Sequence, residues 1–158
     1  MQSKEKVLTR ERALQVISNW KDAGEEVVFT NGCFDIVHLG HVDYLEKARN
    51  LGDRLIVAVN EDQSVKKLKG ENRPINDENA RARVIASFGF VDAVVLFGEE
   101  TPKEIIDLLL PDILVKGKDY NVSNIVGADV VIEHGGKVET IDLVDGYSTT
   151  KIVEKIKK

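Results

Sequence analysis

Apolar residues along this chain follow two rhythms. Between Thr9 and Gly24, residues Ala13, Leu14, Ile17 and Trp20 recur at the spacing of one helix face, with Thr9 placed as N-cap and Gly24 as the stop. From residue 27 onward, short unbroken apolar runs take over: Val27-Val28-Phe29-Thr30, Leu55-Ile56-Val57-Ala58-Val59, Ala93-Val94-Val95-Leu96-Phe97 and Ile113-Leu114-Val115. Runs rich in β-branched residues and lacking alternation suit strands covered on both faces of a parallel sheet. Helical patterns separate them. Val42, Tyr44, Leu45, Ala48 and Leu51 follow the first run, a helix is predicted from Asp77 to Phe88, and another from Thr101 to Leu110 has Thr101 as N-cap and Pro102 in its first turn. The pattern continues with a helix from about Ser123 to His134 before Gly135-Gly136, a strand from Val138 to Ile141, and a C-terminal helix after Ser148.

This order, βαβαβαβαβα, predicts an α/β fold: a doubly wound, Rossmann-like parallel sheet with helices on both faces. Ligands of such sheets bind beyond the carboxyl ends of the strands. Residues 1–24 are read as an N-terminal amphipathic helix extension and 25–158 as the body of a single globular domain. The longest stretch without a clear pattern, Asn60 to Asn76, is read as a functional loop and carries Lys66, Lys67, Lys69 and Arg73.

Composition narrows the function classes. Charged residues make up 31% of the chain, are mixed in sign and net to −5, so no broad basic field attracts nucleic acid or an anionic membrane surface. No apolar stretch approaches the roughly 20 residues of a membrane span. The single cysteine, Cys33, has no partner within the chain for a disulfide, and the first residues lack the apolar core of a signal peptide, so a cytoplasmic location is expected. A phosphate site on such a chain must be local.

Asn31-Gly32-Cys33-Phe34-Asp35-Ile36-Val37-His38-Leu39-Gly40-His41 bridges the first buried strand and the following helix. Free backbone amides and the helix dipole favour an anion there, and Gly40 lets a phosphate approach the backbone. Asn31, Gly32, Cys33, Phe34 and Gly40 are therefore read as a phosphate cradle, over which the His38 and His41 rings can face one ligand and donate hydrogen bonds. The same two histidines without a carboxylate or thiolate in register make a poor zinc signature, so no protein metal site is expected. The Walker loop and the three-glycine dinucleotide fingerprint are both absent. Lys116, Gly117 and Asp119 follow a strand at its carboxyl end and are assigned to nucleotide or sugar recognition.

The segment from Gly32 to His41 resembles the His-x-Gly-His signature of the cytidylyltransferase-like nucleotidyltransferase superfamily. Within it, Leu51-Gly52-Asp53, Val59-Asn60-Glu61-Asp62, Lys67-Leu68-Lys69-Gly70, Arg73-Pro74-Ile75-Asn76, Val115-Lys116-Gly117-Lys118-Asp119-Tyr120 and Asp145-Gly146-Tyr147-Ser148-Thr149-Thr150 are similar to the bacterial heptose-1-phosphate adenylyltransferases. That resemblance implies transfer of AMP from ATP to D-glycero-β-D-manno-heptose 1-phosphate, giving ADP-heptose and pyrophosphate for lipopolysaccharide or other surface glycans. It further implies Mg²⁺ accompanying ATP, a homodimer, and a separate heptose kinase upstream.

The resemblance also distributes roles: it assigns Asn31, Gly32, Cys33, Phe34 and Gly40 to nucleotide binding, and His38 and His41 to catalysis through contacts with the triphosphate. Lys67 and Lys69 correspond to lysines that reach phosphates in relatives, Arg81 to an arginine at the start of the next helix, and Ser148, Thr149 and Thr150 to a hydroxyl-rich turn that binds phosphates. Asp35, Asn60 and Arg73 are assigned to the sugar phosphate. Asp35 could also hold a metal or cap backbone amides. Phe90-Val91-Asp92 and Leu143-Val144-Asp145 replace the arginine-bearing turns of CTP-using relatives, which disfavours CTP, and Tyr147 stands where a small residue is usual, so the base or sugar pocket is expected to differ. A glycerol-phosphate cytidylyltransferase, a flavin adenylyltransferase and a noncatalytic nucleotide sensor remain as alternatives.

Overall fold

In the computed structural model, which describes residues 2–118 and 121–158, every strand among the described residues joins one parallel sheet. The strands are β1 (Val7–Leu8), β2 (Val27–Gly32), β3 (Arg54–Asn60), β4 (Ala93–Phe97), β5 (Ile113–Gly117) and β6 (Lys137–Ile141). The helices are α1 (Arg10–Asp22), α2 (Leu39–Arg49), α3 (Asp62–Lys69), α4 (Glu78–Ala86), α5 (Lys103–Leu109), α6 (Ala128–Glu133) and α7 (Thr149–Lys157).

The sheet order is β1-β4-β3-β2-β5-β6. Successive side chains on a strand face opposite ways, so each covered strand must be apolar at every position. Phe29, Ile56, Ala58, Val95 and Leu114 pack on one face with Ala13 and Ile17 of α1, Ile105 and Ile106 of α5, and Val131 of α6. Val28, Val57, Val59, Val94 and Val115 pack on the other with Tyr44, Leu45 and Ala48 of α2 and Ala82 and Ile85 of α4. The chain winds outward from β2 through β3 and β4, then returns to place β5 on the other side of β2. The crevice at the carboxyl ends of β2 and β5 is thus the topological switch point, where open α/β sheets bind ligands.

The structure departs from the sequence reading in four places. Val7 and Leu8 form an edge strand paired with Val94 and Val95, so the segment before α1 enters the sheet; two residues are too few to show a period. Helix α3 occupies the stretch read as a loop, because Val65 is its single buried apolar residue and eight residues with one anchor leave little periodic signal. The helix expected from Ser123 to His134 is divided into a 3₁₀ turn, Val122–Asn124, and α6. Gly127 sits between them at φ +86°, where a Cβ would lie 2.8 Å from the Ile106 side chain, so glycine is required on both counts. Finally, α5 begins at Lys103 rather than at Pro102, which takes the cap position.

Candidate functional site

The site begins where β2 ends. The turn from Cys33 to Val37 carries the chain to His38, which caps α2 in an extended conformation (φ −139°, ψ 176°). Its Nδ1 accepts the Gly40 amide at 3.1 Å, and His41 Nδ1 accepts the His38 amide in a longer contact of 3.4 Å. Two backbone donors thereby hold each ring with Nδ1 as acceptor, which puts the proton on Nε2. The rings stack with centroids 3.9 Å apart, and Phe34 meets His41 edge-on at 5.2 Å. Gly40 permits this packing: a Cβ there would lie 2.8 Å from the His38 ring.

Burial keeps both imidazoles neutral. Desolvation lowers His38 below the usual histidine range. Desolvation, reinforced by the neighbouring His38, lowers His41 to about 4. At neutral pH the pair therefore offers two oriented Nε2–H donors rather than two cations. Burial also pushes the Cys33 thiol up, the opposite of what a thiolate nucleophile needs.

A cavity of about 560 Å³ opens over this pair at the switch point. It brings together Asn31, Gly32, Cys33, Phe34, Asp35, His38, Gly40 and His41 of the first motif, Asn60 at the end of β3, Lys69 at the end of α3 and Arg73 beyond it, Lys116 and Gly117 at the end of β5, and Ser148, Thr149 and Thr150 at the start of α7. The last element is tied to the first by the Thr149 hydroxyl, which donates to the Ile36 carbonyl at 3.2 Å. Ser148 caps α7 by accepting the Lys151 amide. Two helices from distant stretches of the chain therefore begin at one cavity with their positive dipole ends toward it, although in α2 the Gly40 and His41 amides are already taken up by His38.

Three of the expected ligand contacts do not take that form. Arg81 is not in the cavity: its side chain is fully buried and donates to the carbonyls of Asn76 and Cys33 and to Asp62 Oδ1, so it supports the motif turn from below. The Asp35 carboxylate lines the cavity but is 1% exposed and already engaged by Arg73 Nε at 2.7 Å and by the Ile75 and Asn76 amides. Burial alone would raise that carboxyl, but the Asn76 and Ile75 amides and Arg73 outweigh it and hold it below the ordinary range. Lys67 is exposed and does not line the cavity, whereas Lys69 does. Asp119 lies outside the described residues.

Tyr44, Leu68, Leu143 and Val144 complete the wall without having been singled out for it, and Tyr147 is there as its position suggested. Tyr44 reads in sequence as a core position of α2, and so it is, but its hydroxyl pairs with Thr30 Oγ1 at 2.7 Å and donates to the Val115 carbonyl. Only that hydroxyl, on an otherwise apolar helix face, hinted at a post between β2 and β5.

Known proteins resemble this chain in sequence and fold. The family model described as cytidylyltransferase-like matches residues 29–155. Among curated proteins, the chain is 53% identical over 150 residues to the bifunctional protein HldE of Koribacter versatilis, covering 95% of this chain and 31% of that protein. It is 57% identical over 152 residues to the protein of the same name from Campylobacter jejuni subsp. doylei, covering 96% and 32%. The chain thus spans about a third of the length of these relatives. Among solved structures, the lipopolysaccharide core biosynthesis protein from Thermoplasma volcanium superposes with a TM-score of 0.62 at 31% identity, covering 79% of this chain and all of that one. Pantoate-beta-alanine ligase from Francisella tularensis, at 12% identity and a TM-score of 0.60, shares the fold. By motif, fold and extended sequence match, this chain belongs to the cytidylyltransferase-like family.

Proposed function

We propose that the chain transfers AMP from ATP to D-glycero-β-D-manno-heptose 1-phosphate, releasing pyrophosphate and forming ADP-heptose for lipopolysaccharide or surface-glycan synthesis. The observation that carries this reading is the pair of neutral, backbone-locked imidazoles facing the start of α7 across one cavity at the switch point. The likeness to bifunctional HldE proteins and to a lipopolysaccharide core biosynthesis protein supplies the substrate class.

The acceptor phosphate oxygen attacks the α-phosphorus of ATP in line, its new P–O bond replacing the bond to pyrophosphate. Such chemistry calls for positioning and charge stabilisation and no covalent enzyme intermediate. His38 and His41 donate from Nε2 to oxygens whose charge grows in the transition state. The amides opening α7, with Ser148 and Thr150, hold the departing phosphates, and Lys69 and Arg73 approach from the end of α3 and the stretch beyond it. Lys116 and Gly117 shape the nucleotide side, and Asn60 faces the acceptor. Asp35 acts on the sugar phosphate through Arg73, which it orients.

Among the described residues no cluster of three or more metal-binding side chains occurs, and the Asp35 carboxylate in the main cavity is committed to Arg73. This donor set does not form a metal site of its own, and Mg²⁺ enters as part of the substrate MgATP. No helix among the described residues is long and apolar enough to cross a membrane. We place the enzyme in the cytoplasm, as a homodimer, with its sugar 1-phosphate supplied by a heptose kinase activity outside these residues.

A panel of ATP and CTP against heptose 1-phosphate, glycerol 3-phosphate and FMN, read by pyrophosphate release, tests the proposal. Release is expected with ATP and heptose 1-phosphate together. Release only with CTP and glycerol 3-phosphate would overturn the assignment.

A further inference from the structure

The main cavity does not end at the sheet. A second cavity of about 210 Å³ adjoins it, and the two share Asn31, Asn60, Leu68 and Lys116 in their walls. The strand register explains the shared polar row. Phe29 pairs with Leu114, and continuing that register by two residues sets Asn31 beside Lys116. Because facing repeats every two residues, Asn31, Asn60 and Lys116 extend the face on which Phe29, Ala58 and Leu114 pack. His38 and His41 belong to α2, which covers the other face. The three polar side chains thus form a sill along the carboxyl edge of the sheet, with the imidazole pair on one side and the second cavity on the other.

Beyond the sill, the second cavity is walled by Glu100 and Thr101 from the β4–α5 connection and by Asn124 from the 3₁₀ turn, over an apolar floor that includes Phe97 and Ile125. Its volume lies below the roughly 300–1,000 Å³ of sites for drug-sized ligands, a size for a monosaccharide rather than a nucleotide. Its charge is polarised: Lys116 stands at the sill and Glu100 on the outer wall. A carboxylate accepts from two neighbouring hydroxyls but repels a phosphate, whereas an ammonium at the sill attracts one. Asn31 Oδ1, at the sill, is buried without a hydrogen-bond partner, an acceptor that a ligand hydroxyl would satisfy.

We infer that this second cavity is the acceptor's polyol subsite, with Glu100, Thr101 and Asn124 selecting a polyhydroxylated ring whose 1-phosphate lies over the Asn31–Asn60–Lys116 sill. The inference rests on the adenylyl-transfer reading and adds to it a direction: the sugar enters from the α5 and α6 face, and ATP occupies the α2 and α7 side. It also makes Glu100 and Asn124 the specificity determinants.

The test uses the full chain with a non-hydrolysable α,β-methylene ATP analogue. Calorimetry measures binding of the analogue and, in its presence, of heptose 1-phosphate, for wild type, Asn124→Trp, which fills the cavity from an exposed turn, and Glu100→Gln, which removes only the charge. Both variants are expected to weaken sugar-phosphate binding by about tenfold or more, Glu100→Gln through loss of a charged hydrogen-bond acceptor and Asn124→Trp by occupying the space the sugar needs. Analogue affinity and melting temperature are expected to stay within the small range of ordinary surface changes. Unchanged sugar-phosphate affinity in both variants, or analogue affinity falling in step with it, would overturn the subsite. Turnover is assayed separately. A wild type that binds the sugar phosphate in a variant-sensitive way without releasing pyrophosphate would remove the proposed reaction and leave the subsite. Normal turnover with both variants indifferent would do the reverse.

Discussion

His41 shows how much a single residue's surroundings decide. As a free side chain it would be partly cationic near neutrality; in the cavity it is neutral, because burial lowers its pKa from the ordinary 6.5 to about 4. Between those values the unfolded chain takes up a proton that the folded chain refuses. Stability from this group is therefore complete above 6.5 and declines as pH falls toward 4. Thermal melts at half-unit pH steps should show a shallower loss over that window for His41→Gln than for wild type; parallel curves would show that the ring is not desolvated as described. Arg81 is the second residue-scale case. Its replacement by Met would strand two carbonyls and the Asp62 carboxylate, and urea unfolding should report a loss on the order of 3 kcal/mol, with Arg81→Lys recovering part of it. Neither role could be read from the sequence. A histidine's tautomer and an arginine's burial depend on groups 2 to 48 residues away.

At the scale of elements, the buried strands were legible and the polar connection around α3 was not. Four apolar runs announced β2 to β5 because strands covered on both faces need unbroken hydrophobicity. Helix α3 hid behind lysines, since only Val65 and Ser64 turn inward. Its placement changes the reading of those lysines: Lys69, at the last turn, reaches the cavity wall, and Lys67 points elsewhere. Lys69→Ala should lower kcat/KM for ATP by about tenfold, the size of one charged hydrogen bond. Lys67→Ala should leave it close to wild type. Steady-state kinetics at fixed ionic strength decides between them, and equal losses would mean that the α3 lysines act as a diffuse field.

For the whole molecule, the switch point explains why the main cavity sits where it does. Winding outward from β2 in both directions opens a crevice between β2 and β5, and the two helices whose first turns border it, α2 and α7, come from distant stretches of the chain. Strand–helix alternation made the doubly wound sheet predictable, and the strand-to-helix position of the His-x-Gly-His motif put that motif at the carboxyl end of β2, where the cavity opens. The edge strand β1 escaped because its pairing with β4 depends on a partner about 87 residues away and not on any local period.

In the proposed reaction, two neutral, backbone-held imidazoles at this crevice drive adenylyl transfer to a sugar phosphate. Phosphorus NMR of the chain with MgATP and heptose 1-phosphate at neutral pH measures that step directly. Wild type should convert the ATP signals to pyrophosphate and the paired diphosphate resonances of ADP-heptose, while folded His41→Ala should do so on the order of a hundredfold more slowly, the effect of removing one transition-state donor. ADP-heptose forming at the wild-type rate in folded His41→Ala would contradict the account.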